Sequence, residues 1–147
     1  VSAVVLAAAG ASFAAALVHG SVIAVHLAEY WLFGLFFVLV TPLQVAWAGL
    51  VVRRPDHRRL LIAGAVGNGV VIGIWAVSRL VGLPFGPGAF TPEAVSFKDL
   101  LSTYDEAAVV ILCIMLLRGR PAPTWLLACV WVVVALSLVA ALLPGGH

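Results

Sequence analysis

Five long apolar runs, interrupted only by short polar segments, are the feature that most limits how this chain folds. A helix needs about 20 apolar residues to cross the roughly 30 Å hydrocarbon core of a bilayer, and it satisfies its own backbone hydrogen bonds there. Because 64% of the 147 residues are hydrophobic and only 10% are charged, no segment is left to form a water-soluble domain. The sequence therefore predicts an all-α integral membrane bundle of five transmembrane helices in a single domain.

The predicted spans cover about residues 1–18, 30–52, 60–81, 98–117 and 125–143. The first span has an alternative, because a short apolar stretch with small residues near its end is also typical of a cleaved signal peptide. Cleavage would leave four spans, although no basic residue precedes this stretch. We expect a turn within residues 19–29, which are less apolar. If the first helix instead runs straight through, His19, His26 and Glu29 lie near one face.

Basic residues cluster in two short connections, residues 53–59 and 118–120, which together hold six of the eight lysines and arginines. By the positive-inside tendency both connections are expected to face the cytoplasm. The bilayer is then the main partner. Nucleic-acid binding is not expected, because the basic loops are short and lie at a membrane surface. The connection after residue 82 is rich in Gly and Pro, and we expect it to fold back over the bundle.

Ionisable residues inside or beside the spans are the candidates for function, since a charge in the bilayer core is costly and needs a partner. Asp105 and Glu106 fall near the middle of the fourth span. Imidazoles and carboxylates are ordinary ligands of copper, zinc and iron. The sequence predicts a transition-metal site in the half of the bundle opposite the basic loops. Its candidate ligands are His19, His26, Glu29, Asp105 and Glu106.

A second hypothesis gives the same residues a structural role in a non-catalytic accessory subunit of a larger membrane complex, or in a homo-oligomer. Gln44, Asn68 and Arg79 then form a polar network that links helices, with Arg79 paired to Asp105 or Glu106. The last span carries no acidic, basic or histidine residue and is expected to face lipid. The third span carries Gly69 and Gly73 in GxxxG spacing, a pattern that predicts a packing face.

Two further alternatives concern ligands and ions. Haem or quinone binding would use His19 and His26, and haem is disfavoured because both lie on one predicted helix, whereas bis-histidine ligation needs opposed rings. Proton or ion translocation would use Glu106 and Arg79. Catalysis is not favoured, because the chain lacks GxSxG, HExxH and phosphate-loop motifs.

Several motifs together resemble small multi-span membrane proteins of actinobacteria that have no assigned activity. They are His26-x-x-Glu29-Tyr-Trp-x-x-Gly34, Gln44, the Arg-Arg-Pro-x-x-Arg-Arg loop, Asn68, Ser78-Arg79 and the Gly-Leu-Pro-Phe-Gly-Pro loop. The resemblance covers about residues 21–117. It implies a bacterial inner-membrane location and a high-GC host, and it assigns no ligand, partner or site residue.

Overall fold

Over residues 1–144, which the computed structural model describes, the chain forms five α-helices. They are α1 (Ala3–Glu29), α2 (Trp31–Arg53), α3 (Arg58–Leu80), α4 (Phe97–Leu117) and α5 (Thr124–Leu142). Each helix is long and apolar enough to cross a membrane. The predicted fold class, an all-α membrane bundle with five spans, is confirmed over this range.

The first helix differs from its expected span, because α1 runs unbroken to Glu29 and contains no turn. Its polar side chains bond to their own helix instead of breaking it. The Ser21 hydroxyl donates to the Val18 carbonyl at 2.7 Å, and His26 Nδ1 lies 2.9 Å from the Val22 carbonyl. A polar side chain that satisfies a carbonyl of the preceding turn can stay inside a helix. The reduced hydropathy of this stretch therefore does not mark a boundary.

Helix α1 is the centre of the bundle, where α2, α4 and α5 all pack against it. The contact is close because most of its buried side chains are alanines, and small side chains let backbones approach in lipid. Its fully enclosed members are Ala7, Ala8, Ala11, Ala14, Ala15 and Ala16. At Gly10 a Cβ atom would lie 3.0 Å from the Trp131 ring of α5.

Helices α3 and α5 correct two expectations about packing. Gly64 of α3 does face a neighbour, the Trp47 ring of α2, but Gly69 and Gly73 meet no atom of residues 1–144 within 4 Å. The GxxxG pair thus packs against nothing within the described chain. Helix α5 does not face only lipid, since one of its sides is buried against the bundle and includes Ser137 at 0% exposure.

The helices alternate in direction, so the bundle has two distinct ends. The basic end carries the connections 54–57 and 118–123, and the loop end carries the connection 81–96, called here the long loop. The long loop packs on the start of α2, because a Cβ atom at Gly86 would lie 2.9 Å from the rings of Tyr30 and Phe33. The expectation that this connection folds back over the bundle is confirmed.

Candidate functional site

A cavity of about 300 Å³ lies at the loop end between α1, α2, α3 and α4, with part of the long loop as its rim. We call it the loop-end cavity. Its wall is mainly aromatic and apolar. The aromatic members are Phe33, Phe36, Phe37, Trp75 and Phe85. Two histidines also line it, and both rings contact Phe37, with centroid distances of 5.2 Å for His19 and 4.5 Å for His26.

The floor of the cavity is a pair of buried ionisable side chains from α1 and α4. His19 Nε2 lies 2.8 Å from Glu106 Oε1, and the two side chains are 7% and 1% exposed. An isolated charge at this depth would be strongly unfavourable, whereas a hydrogen-bonded pair compensates much of the lost solvation. The fold therefore gives each of these two buried groups a hydrogen-bond partner.

The pair continues into α2 and α3 through two amide side chains. Gln44 Nε2 donates to Glu106 Oε1 and to Asn68 Oδ1, each at 3.2 Å. Asn68 Nδ2 in turn donates to the Gly64 carbonyl at 2.9 Å. We call His19, Glu106, Gln44 and Asn68 the buried polar chain. It ties four helices together near the middle of the bundle.

The mouth of the cavity is organised by Arg79 near the end of α3. Its guanidinium donates to Glu93 Oε2 of the long loop at 2.5 Å and to Asp99 Oδ2 of α4 at 2.7 Å. The expected pairing of Arg79 with Asp105 or Glu106 is therefore wrong. Arg79 lies closer to the loop end than Asp105 and Glu106 do, and it pairs with the acids at that end.

Lys98 and Asp99 matter more than their position at the start of α4 indicates. Lys98 is only 7% exposed, and its Nζ donates to the Ser21 hydroxyl at 3.2 Å and to the Leu143 carbonyl at 3.3 Å. Asp99 caps α4 together with Ser96 in a reciprocal capping box. The Ser-x-x-Asp spacing in the sequence could have predicted this role of Asp99, since a residue in a capping box is held in a fixed direction.

The five predicted metal ligands do not come together. His19 and Glu106 meet, and His26 lines the same cavity about two turns further along the same face of α1, but Glu29 is exposed at the end of α1. Asp105 is fully buried on another side of α4, where the Ser137 hydroxyl donates to its Oδ2 at 2.6 Å. Among residues 1–144 no group of three or more His, Cys, Asp or Glu side chains is placed to hold a metal ion.

Adjacent helix residues point about 100° apart, which explains the separation of Asp105 from Glu106. Only one of the two can face the loop-end cavity. Ser137, the partner of Asp105, was not predicted, because a single serine in an apolar span carries no sign of which face it occupies.

No known family model matches this chain, and no characterised protein or solved structure is detectably similar to it. Its function is therefore argued from geometry and chemistry alone.

Proposed function

We propose that this polytopic membrane protein binds a quinone, a flat ring with two carbonyl oxygens, in the loop-end cavity. One observation carries the proposal: a buried, hydrogen-bonded His19–Glu106 pair forms the floor of an aromatic-walled cavity inside a membrane bundle. Polar groups at that depth are expensive, and those beside a cavity are functional candidates.

The size and wall of the cavity support a flat, mainly apolar ligand. A volume of about 300 Å³ lies at the lower end of the range for small-molecule sites, which is roughly 300–1,000 Å³. A ring of one or two fused cycles suits it, and haem is too large for it. Aromatic side chains favour stacked or edge-on contacts with such a ring. The two histidines share one wall, so they do not oppose each other across an iron.

The polar groups around the cavity match both redox forms of a quinone. A carbonyl oxygen only accepts hydrogen bonds, and the Trp75 indole N–H is a buried donor without a partner among residues 1–144. Lys98 also lines the cavity and offers a second donor, because its Nζ has three N–H groups and Ser21 and Leu143 take two of them. A hydroquinone hydroxyl needs an acceptor. Both hydrogen bonds to Glu106 end on Oε1, which leaves Oε2 for that role.

Transition-metal handling stays a prediction and is the weaker candidate. Structural and catalytic metal sites use three or four protein ligands, whereas only His19 and Glu106 meet here. Elemental analysis of the purified protein tests it directly. Near-stoichiometric metal that is lost in a Glu106→Gln variant would favour metal over quinone.

A role as accessory subunit or homo-oligomer is favoured by one specific observation. Gly69 and Gly73 present an unpartnered small-residue face on α3, of the kind that joins helices in lipid. Gentle solubilisation followed by native mass determination tests this candidate. A Gly69→Leu, Gly73→Leu double variant would then elute as a smaller species than the wild type. Quinone binding and assembly are compatible, so this result does not decide the first proposal.

The positive-inside tendency supports a basic end in the cytoplasm, with the loop-end cavity on the opposite side of the membrane. The bacterial inner membrane is the location that follows from the resemblance described above, and it remains a prediction.

The test is the binding of menadione, a naphthoquinone without a tail, and of its reduced form menadiol to protein in lipid nanodiscs. Quenching of tryptophan fluorescence reports it, because Trp75 lines the cavity. Glu106→Gln keeps the shape of the floor but places an amide NH2 group where Oε2 can accept a hydrogen bond. A menadiol hydroxyl then loses its acceptor, and a buried polar group without a partner costs about 1–3 kcal/mol, so we expect menadiol affinity to fall about tenfold. Menadione has no hydroxyl to donate, so its affinity should not fall.

Glu29→Gln is the matched control, since Glu29 is an exposed carboxylate at the end of α1. Its affinity for menadione and for menadiol should equal that of the wild type. Trp75→Phe should remove most of the saturable quenching, which separates the site from collisions in lipid. Equal menadiol quenching curves for the wild type and Glu106→Gln would overturn the proposal.

A further inference from the structure

A second cavity, of about 410 Å³, lies along the seam between α2 and α3 on the basic-end side of the buried polar chain. We call it the seam cavity. Gln44 and Asn68 line it, and both belong to the chain that also forms the floor of the loop-end cavity. Val71 lines both cavities. The two spaces therefore lie end to end along one seam.

The seam cavity exists because α2 and α3 make few contacts, although they follow each other in the chain. They are held together near the basic end, where the Trp47 ring packs on Gly64 and its indole N–H donates to the Leu60 carbonyl at 2.9 Å. Towards the loop end Gly67 leaves open space, with no atom within 4 Å of where its Cβ would be. Trp47 therefore joins the two helices near the basic end, and the lack of a side chain at Gly67 leaves the next part of the seam open towards the loop end.

Apart from the two amides and Ser12, the seam cavity is lined by apolar residues and glycines. Its rim reaches the surface of the bundle, where Leu43 is 67% exposed and Leu50 is 42% exposed. In a membrane that surface meets hydrocarbon. The cavity is thus an apolar slot that opens sideways into lipid and leads towards a head-group site.

From this arrangement we infer that the ligand of the loop-end cavity carries a long apolar tail, which lies in the seam cavity. The inference rests on the proposed function and narrows it to a tailed quinone that enters from the bilayer between α2 and α3. The head group reaches His19 and Glu106, and the tail passes Val71. Because lipid is as apolar as the slot, the tail gains little from leaving lipid. Its contribution to affinity is close packing against fixed walls.

The test compares menadione with phylloquinone, which has the same ring with a phytyl tail, at equal mole fractions in nanodisc lipid. Three proteins are used: the wild type, Gly67→Phe and Gly49→Phe. The two glycines are matched, since both lie exposed within a long helix with no atom within 4 Å of a Cβ. Only Gly67 lines the seam cavity. A phenylalanine there fills the slot without touching the head-group site.

We expect wild type and Gly49→Phe to bind phylloquinone about tenfold more tightly than menadione, a difference of roughly 1.4 kcal/mol. In Gly67→Phe this preference should disappear while menadione affinity is unchanged. A preference that persists in Gly67→Phe would overturn the inference, as would equal affinities in the wild type. A Gly67→Leu variant serves if the phenylalanine prevents folding, which is checked by circular dichroism and gel filtration.

Failure of the proposed function gives a different pattern. Menadiol would then bind without dependence on Glu106, whichever residue occupies position 67. Mass spectrometry of lipids extracted from the purified variants reports the slot separately. A long-tailed molecule retained by the wild type and Gly49→Phe but lost from Gly67→Phe supports the tail slot, and retention by all three contradicts it. Retention of ordinary phospholipid alone would replace the quinone tail with an acyl chain and overturn the assignment.

Discussion

Replacing Gln44 with leucine tests whether the buried polar chain holds the bundle together. The change keeps a side chain of similar size but removes the amide that bridges Glu106 and Asn68. Hydrogen bonds between membrane helices contribute about 0.6 kcal/mol on average and at most about 1.7 kcal/mol. Taking the average for the neutral bond to Asn68 and the maximum for the bond to Glu106, we expect the free energy of unfolding to fall by about 2 kcal/mol.

The measurement is unfolding in mixed micelles or by steric trapping, with Thr41→Val as the matched control on the same helix. Thr41 Oγ1 is buried, and no hydrogen-bond partner for it occurs among residues 1–144. Removing an unpartnered hydroxyl should leave stability unchanged or raise it slightly. In a double-mutant cycle Gln44→Leu and Asn68→Leu should be less costly together than the sum of the single changes. An unchanged free energy of unfolding in Gln44→Leu would show that the buried polar chain does not stabilise the bundle. Additive effects in the cycle would show that Gln44 and Asn68 do not stabilise it through each other.

Two further perturbations address the regions outside the polar chain. Ser137→Ala leaves the buried Asp105 carboxyl without its donor, so the free energy of unfolding should fall by about 1–3 kcal/mol. Menadione affinity should not change, because Asp105 lies outside the loop-end cavity. A loss of menadione binding without a loss of stability would contradict this separation. Arg79→Gln breaks the ion pair to Glu93 and should speed hydrogen exchange in the long loop by at least severalfold. Arg118→Gln at the basic end is the control and should leave this exchange unchanged. Equal protection of the long loop in both variants would refute the tethering role of Arg79.

The number and kind of helices could be predicted because bilayer thickness dictates the length of an apolar run. Helix ends in polar stretches were harder. The stretch after His19 looked like a turn, yet Ser21 and His26 satisfy carbonyls of their own helix. Whether a polar side chain breaks a helix depends on its rotamer, and sequence does not record that.

Glu106 could be found from sequence because a carboxyl in the middle of a span is costly wherever it points. Its partner could not. The choice between His19 and His26 depends on how α1 is rotated and shifted against α4, and packing of the alanine surface of α1 decides that. The two cavities could not be predicted from the sequence either, because they arise where α2 and α3 do not contact each other.

The central position of α1 also constrains biogenesis. This helix precedes α4 and α5 in the chain, yet they cover two of its sides in the finished protein. During synthesis the alanine surface of α1 stays uncovered, beside the translocon or in lipid, until α4 and α5 have been inserted. His19 stays uncovered with it. A ribosome stalled after α3 would therefore hold a nascent chain whose imidazole has no carboxylate.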